Sequence, residues 1–138
     1  MTKEEVIQYF DSLAYKRDGW RKRNSYYHSE LIKFIRFLIP EGSSVLDIGS
    51  STGELLNQLK PSRGVGIDLS SRMVSVAAQK YPNFEFSVHD AQELNLKEIF
   101  EYAVISGSIG LFNDIWRVFR SLRQVTNNES RVVIIYYN

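Results

Sequence analysis

The residues with the most chemical content fall at three places: the segment Val45-Leu46-Asp47-Ile48-Gly49-Ser50-Ser51-Thr52-Gly53, then Asp68, then Asp90. In the first, an apolar run meets small residues and then a helix-forming stretch. Small residues let a ligand lie against bare backbone, and the first turn of the following helix offers free N–H groups. Alone, such a loop suits a dinucleotide, a mononucleotide or nothing but a tight turn. No lysine follows Gly53, so the phosphate-cradling loop pattern is absent. Counted from Gly49, the dinucleotide pattern G-x-G-x-x-G needs glycines where Ser51 and Glu54 stand, and Glu54 at a helix start would repel a pyrophosphate. Asp68 ends a second apolar run about 20 residues after Gly49, where a carboxylate can accept hydrogen bonds from ribose hydroxyls.

His28 and His89 are the two histidines, and either could act as a base near neutral pH. His89 precedes Asp90 on an expected strand, so its side chain should point to the opposite face. His28 lies in the N-terminal arm, where a substrate would approach, and is the better candidate for a catalytic base. The stretch Lys16–Arg23 carries five basic residues in eight. It reads as a solvated helix end, or as an arm folded over a ligand with Tyr15, Trp20 or an arginine meeting a carboxylate. There is no cysteine, which excludes disulfides and thiolate metal sites, and no metal is expected.

These residues need elements to position them. Val6, Phe10 and Leu13 sit at helical spacing, and Gly19 breaks that pattern. Residues 25–39 repeat it, with Tyr27, Leu31, Phe34, Ile35 and Leu38 on one face, before Pro40 and EGSS end the helix. From Ser44 the character changes. VLDIG, GVGID, FEFSV, YAVIS and RVVIIYY are five apolar runs of strand length. Helix-like stretches lie between them at Glu54–Leu59, Ser71–Lys80, Leu96–Phe100 (weakly) and Asp114–Val125, the last behind an Asn113 or Asp114 cap. Strands alternating with helices imply parallel pairing through crossovers, and runs without polar alternation imply strands covered on both faces.

With these residues in place, the sequence resembles the class I S-adenosylmethionine-dependent methyltransferases, from roughly Pro40 to Asn138. VLDIGSSTG is similar to the family's acidic–x–Gly–x–Gly–x–Gly motif, with Ser51 where relatives usually carry glycine. VGIDLS, SSRMV, HDAQEL and YAVISGSIGLF are similar to its later segments. The resemblance implies an α/β, Rossmann-like three-layer sandwich with a mostly parallel sheet of about five strands in the order 3-2-1-4-5. Residues 1–40 would form a helical arm and 41–138 the S-adenosylmethionine-binding domain. Asp47 would anchor the loop and meet the methionine ammonium, with Gly49, Ser50, Ser51 and Gly53 bordering the methionine and ribose. Asp68 would hold the ribose diol, Leu69 and Met73 would line the adenine, and Asp90 and Ala91 would bond its edge. Ser106 would lie beside the methionine end.

The expected activity is methyl transfer to a small-molecule acceptor. The alternatives are a cofactor-binding module inactive by itself and, less favoured by the glycine spacing, a nicotinamide-dependent oxidoreductase. A net charge of +1 without a long basic stripe argues against nucleic acid. No apolar run approaches the ~20 residues of a membrane span, so a cytoplasmic protein is expected. An apolar fifth strand at the chain's end leaves an open edge. The expectation is a fragment lacking the last two strands, or a homodimer formed through that edge.

Overall fold

The computed structural model describes residues 1–136. Five strands form one sheet in the order β3-β2-β1-β4-β5: β1 Ser44–Ile48, β2 Arg63–Asp68, β3 Glu85–Val88, β4 Tyr102–Ser106 and β5 Arg131–Ile135. Every adjacent pair is parallel. Parallel strands need crossovers, and α4 (Glu54–Leu59), α5 (Ser71–Lys80) and α6 (Ile115–Leu122) supply three of them. Ahead of the sheet come α1 (Lys3–Leu13), α2 (Arg17–Arg23) and α3 (Ser25–Leu38). This is the expected α/β sandwich with the expected strand order. Register pairs Ile48 with both Ile67 and Ile105, so the carboxyl ends of the inner strands meet along one edge. The strand order reverses between β1 and β4, which is the switch point where such sheets open a crevice.

Alternation along each central strand feeds two cores. Leu46, Ile48, Val65, Ile67, Ala103 and Ile105 face α6, where Val118 and Leu122 are buried with Phe100 and Val125. Val45 and Val104 face α3 and α4, against Ile35, Ile39, Leu55, Leu56 and Leu59. Gly64 and Gly66 leave room on β2 for the rings of Phe84 and Phe86, which a Cβ at either glycine would strike. Asp114 caps α6, accepting from the Arg117 N–H.

The fold departs from the sequence expectations in several places. Gly19 does not break a helix but sits inside α2, whose Asp18 and Arg21–Arg23 complement the helix dipole at either end. On α3 the buried side runs through Leu31, Ile32, Ile35 and then Ile39, while Phe34 and Leu38 of the expected face are exposed. Hydrophobicity marked both sides of that helix, and sheet geometry chose between them. Leu96–Phe100 forms no helix: the segment carries no regular secondary structure and delivers Phe100 to the core. Strands β3 and β5, the edge strands among the described residues, are more exposed than unbroken apolar runs imply: Val88, Val132 and Ile134 are exposed. The fifth run, RVVIIYY, forms a strand over Arg131–Ile135, and its last residue, Tyr137, lies outside the described residues.

Candidate functional site

A cavity opens where the strand order reverses, between the carboxyl ends of the strands and the helices α1 and α2. Its floor begins with the turn after β1. Gly49 takes a left-handed conformation with φ of 77°, and a Cβ there would lie 2.7 Å from the Ser108 Oγ. That hydroxyl donates to the Ile48 carbonyl at 3.1 Å, tying the loop after β4 to the loop after β1. Ser51 is also left-handed, with φ of 52°, which a non-glycine residue adopts only at a cost. The gain is visible: its N–H donates to the Asp68 Oδ2 at 2.9 Å. The Ser70 N–H donates to the other oxygen, Oδ1, at 2.9 Å. Two backbone amides thus fix the Asp68 carboxylate at the cavity wall and leave its other lone pairs for a ligand. Burial pushes its pKa up, and those backbone bonds pull against the rise.

The far end of the cavity is an apolar slot formed by Val6 and Phe10 of α1 with Leu69, Ala91, Leu111 and Phe112. The opposite end connects, through Gly49, Ser51 and Ser106, to an inner chamber under α2 and α3 that holds Asp47, Ser50, Arg17, Arg21 and His28. Asp47 is 2% exposed. Burial, reinforced by the nearby Asp68 charge, pushes its pKa to about 7, against some relief from Arg21. The Ser50 Oγ and the His28 Nε2 are buried without a hydrogen-bond partner among the described residues. Burial and then the charges of Arg21 and Arg17 push the His28 pKa down, so the ring is neutral near pH 7 and keeps an acceptor nitrogen.

Of the expected site residues, Asp47, Gly49, Ser50, Ser51, Asp68, Leu69, Ala91, Ser106 and His28 line one or both of these spaces. Four do not. Tyr15 lies in the turn between α1 and α2 and is 78% exposed, outside both spaces. Met73 is fully buried under α5, its sulfur receiving the Ser51 hydroxyl at 3.5 Å. Gly53 caps α4 with φ of 84°, walled in by Phe86 and Tyr81. Asp90 turns away to cap the short 3₁₀ turn at Ala91–Glu93, accepting from the Gln92 N–H at 2.9 Å and pairing with Lys3 at 2.8 Å. His89, expected to point away, lines the cavity instead. Strand β3 ends at Val88, so alternation no longer governs its side chain.

Sequence reasoning also missed Phe10, Arg17 and Ser108. Phe10 carried a signal, the apolar face of α1. Arg17 is one of five cations within eight residues, and nothing in the spacing singles it out.

Three polar clamps hold the arm over this site, one on each loop after β1, β2 and β3. The Thr52 hydroxyl donates to Asp18 at 3.1 Å, and Asp18 also pairs with Lys80 at 2.9 Å. Asp11 accepts from the Ser70 hydroxyl and from the Arg72 N–H. Lys3 holds Asp90.

Comparison with known proteins identifies the family and the fold. Residues 45–129 match the family described as a methyltransferase domain. The chain is 29% identical over 151 residues to a demethylmenaquinone methyltransferase of Thermotoga maritima, covering 97% of this chain and 62% of that protein. It is 26% identical over 104 residues to a dTDP-4-amino-2,3,4,6-tetradeoxy-D-glucose N,N-dimethyltransferase of Saccharopolyspora spinosa, covering 74% of this chain and 41% of that one. The chain therefore spans roughly half the length of these relatives. Among solved structures, the complex of DhpI with SAH superposes with a TM-score of 0.83 at 18% identity, over 96% of this chain and 67% of that one.

Proposed function

Because this chain belongs to the methyltransferase domain family, we propose that it binds S-adenosylmethionine beneath α1 and α2 and transfers the methyl group to a small-molecule acceptor. The observation that carries the reading is the Asp68 carboxylate, fixed by two backbone amides beside a turn whose Gly49 has no room for a Cβ. Such a carboxylate suits a diol, and such a turn suits a ligand pressed against the main chain.

The remaining residues fit the same ligand. The apolar lining of Val6, Phe10, Leu69 and Ala91 suits a purine. In the inner chamber, Asp47 offers a carboxylate to an ammonium group, Ser50 an unused hydroxyl, and Arg17 a cation to a carboxylate. When bound, S-adenosylmethionine supplies an electrophilic methyl group, whose bond to sulfur breaks as the bond to the acceptor forms.

The protein's own tasks are then to align the acceptor, exclude water and take up a proton. The clamped arm excludes water. His28, neutral and with Nε2 unpartnered, receives the proton that an oxygen or nitrogen acceptor releases. The two relatives above are named for acting on a quinone precursor and on an amino sugar nucleotide. Both are small molecules, which supports that acceptor class here. Among the described residues, no helix is long and apolar enough to cross a membrane.

Isothermal calorimetry with S-adenosylmethionine and with S-adenosylhomocysteine tests the proposal. Saturable heat is expected for both, and its loss in Asp68→Ala. Folded protein giving heat with neither ligand would sink the reading.

A further inference from the structure

The inner chamber does not end at α3. It shares Arg21, His28 and Ile32 with a wider groove on the outer surface between α2, α3 and α4. Arg21, Lys22, Lys33, Arg36 and Lys80 line that groove. Three of these cations have carboxylate partners: Lys33 with Glu30, Arg36 with Glu41, and Lys80 with Asp18. Arg21 and Lys22 have none among the described residues, although both face the same opening. The groove's lining thus carries five cations against two carboxylates, Asp18 and Glu54, a positive balance that suits an oxyanion. The patch is short and bordered by Asp18 and Glu54.

We infer that this groove binds the anionic group, phosphate or carboxylate, of the methyl acceptor, whose nucleophilic end passes His28 into the inner chamber. The inference rests on reading that chamber as the methionine end of the cofactor site. Guanidinium and ammonium groups at a partly enclosed opening suit an oxyanion through charge-assisted hydrogen bonds. His28 stands where the two spaces meet, so the group fixed outside and the proton acceptor inside belong to one path.

The test is calorimetry on the full chain saturated with S-adenosylhomocysteine, titrated in parallel with pyrophosphate, with succinate and with a short single-stranded RNA. Saturable binding of pyrophosphate or succinate is expected, and the stronger of the two assigns the group as phosphate or carboxylate. Lys22→Gln should weaken it several-fold while leaving S-adenosylhomocysteine binding and the melting temperature unchanged, and adding Arg21→Gln should bring the loss to at least tenfold. Arg120→Gln with Arg123→Gln, on α6 and just after it, should change nothing. Absence of binding, an unchanged affinity in the groove variant, or tighter binding of RNA would each overturn the inference. So would displacement of pyrophosphate by S-adenosylhomocysteine, because the site would then be the cofactor carboxylate's own. If S-adenosylhomocysteine itself gave no heat, the cofactor reading would fall and the acceptor role with it, whatever pyrophosphate did.

Discussion

The sheet with α3 to α6 and the pair α1–α2 are held in place by different forces. The first region buries two apolar clusters, one on each face of the sheet. The second buries only Val6 from its helices and Ala14 beside them, and α2 buries nothing. Its anchors are polar: Lys3 to Asp90, Asp11 to Ser70, and Asp18 to Thr52 and Lys80. Apolar burial is indifferent to charge and to ligand, whereas exposed ion pairs are weak and screened by salt. The floor of the site is therefore built in advance, and its roof is the part that can open. Because each clamp lands on a loop that borders the cavity, whatever occupies the cavity bears directly on the roof.

The strongest test of this contrast removes one anchor of each kind. Leu56→Ala, in the cluster under α3, should cost about 2–5 kcal/mol of unfolding free energy in urea titrations. Asp18→Asn should cost no more than about 1 kcal/mol. Equal losses would erase the distinction.

A second prediction concerns pH. Asp47, with a folded pKa of about 7 against an ordinary 3.8, binds a proton more tightly in the fold than in the unfolded chain. Its contribution to stability is therefore complete below 3.8 and is lost as pH rises towards 7. A ligand ammonium would favour the ionised form, so affinity for S-adenosylmethionine should run the other way. It should be highest above pH 7 and fall by up to tenfold per unit below it, with proton release measurable by calorimetry in two buffers. Asp47→Asn should flatten that profile. A steep profile surviving in the variant would move the titration to another group.

The third prediction probes the roof alone. Asp11→Ala combined with Asp18→Ala should raise hydrogen exchange in α1 and α2 several-fold and leave the amides of β1 and β4 protected. S-adenosylhomocysteine should restore protection in the wild type more than in the variant. Faster exchange throughout would mean that roof and floor unfold together.

The smallest effect is expected at Ser51. Glycine accepts the left-handed turn without strain, so Ser51→Gly should stabilise the fold by at most about 1 kcal/mol. Its melting temperature should rise slightly, and cofactor affinity should change little, because the N–H to Asp68 is kept.

Much of the floor was legible in the sequence for a physical reason. Residues that form it are local: a strand, a turn of small residues and a helix start follow one another from Val45 to Leu59, and Asp68 ends the next strand. Short unbroken apolar runs and glycine positions record backbone requirements that no distant contact has to supply. Alternating strands and helices likewise dictated a parallel sheet, since parallel neighbours need crossovers.

What only the tertiary structure decided is where side chains outside regular repeats point. His89 and Asp90 exchanged their expected places because β3 stops one residue before them and a 3₁₀ turn recruits Asp90 as its cap. Phe34 lost its place in the core to Ile32 because the sheet meets α3 from one side only. The position of Arg17, the three clamps and the joining of the inner chamber to the basic groove all depend on α1 and α2 folding back across the strand ends. Such contacts join residues tens of positions apart, through weak polar pairs that leave no periodic trace in the sequence.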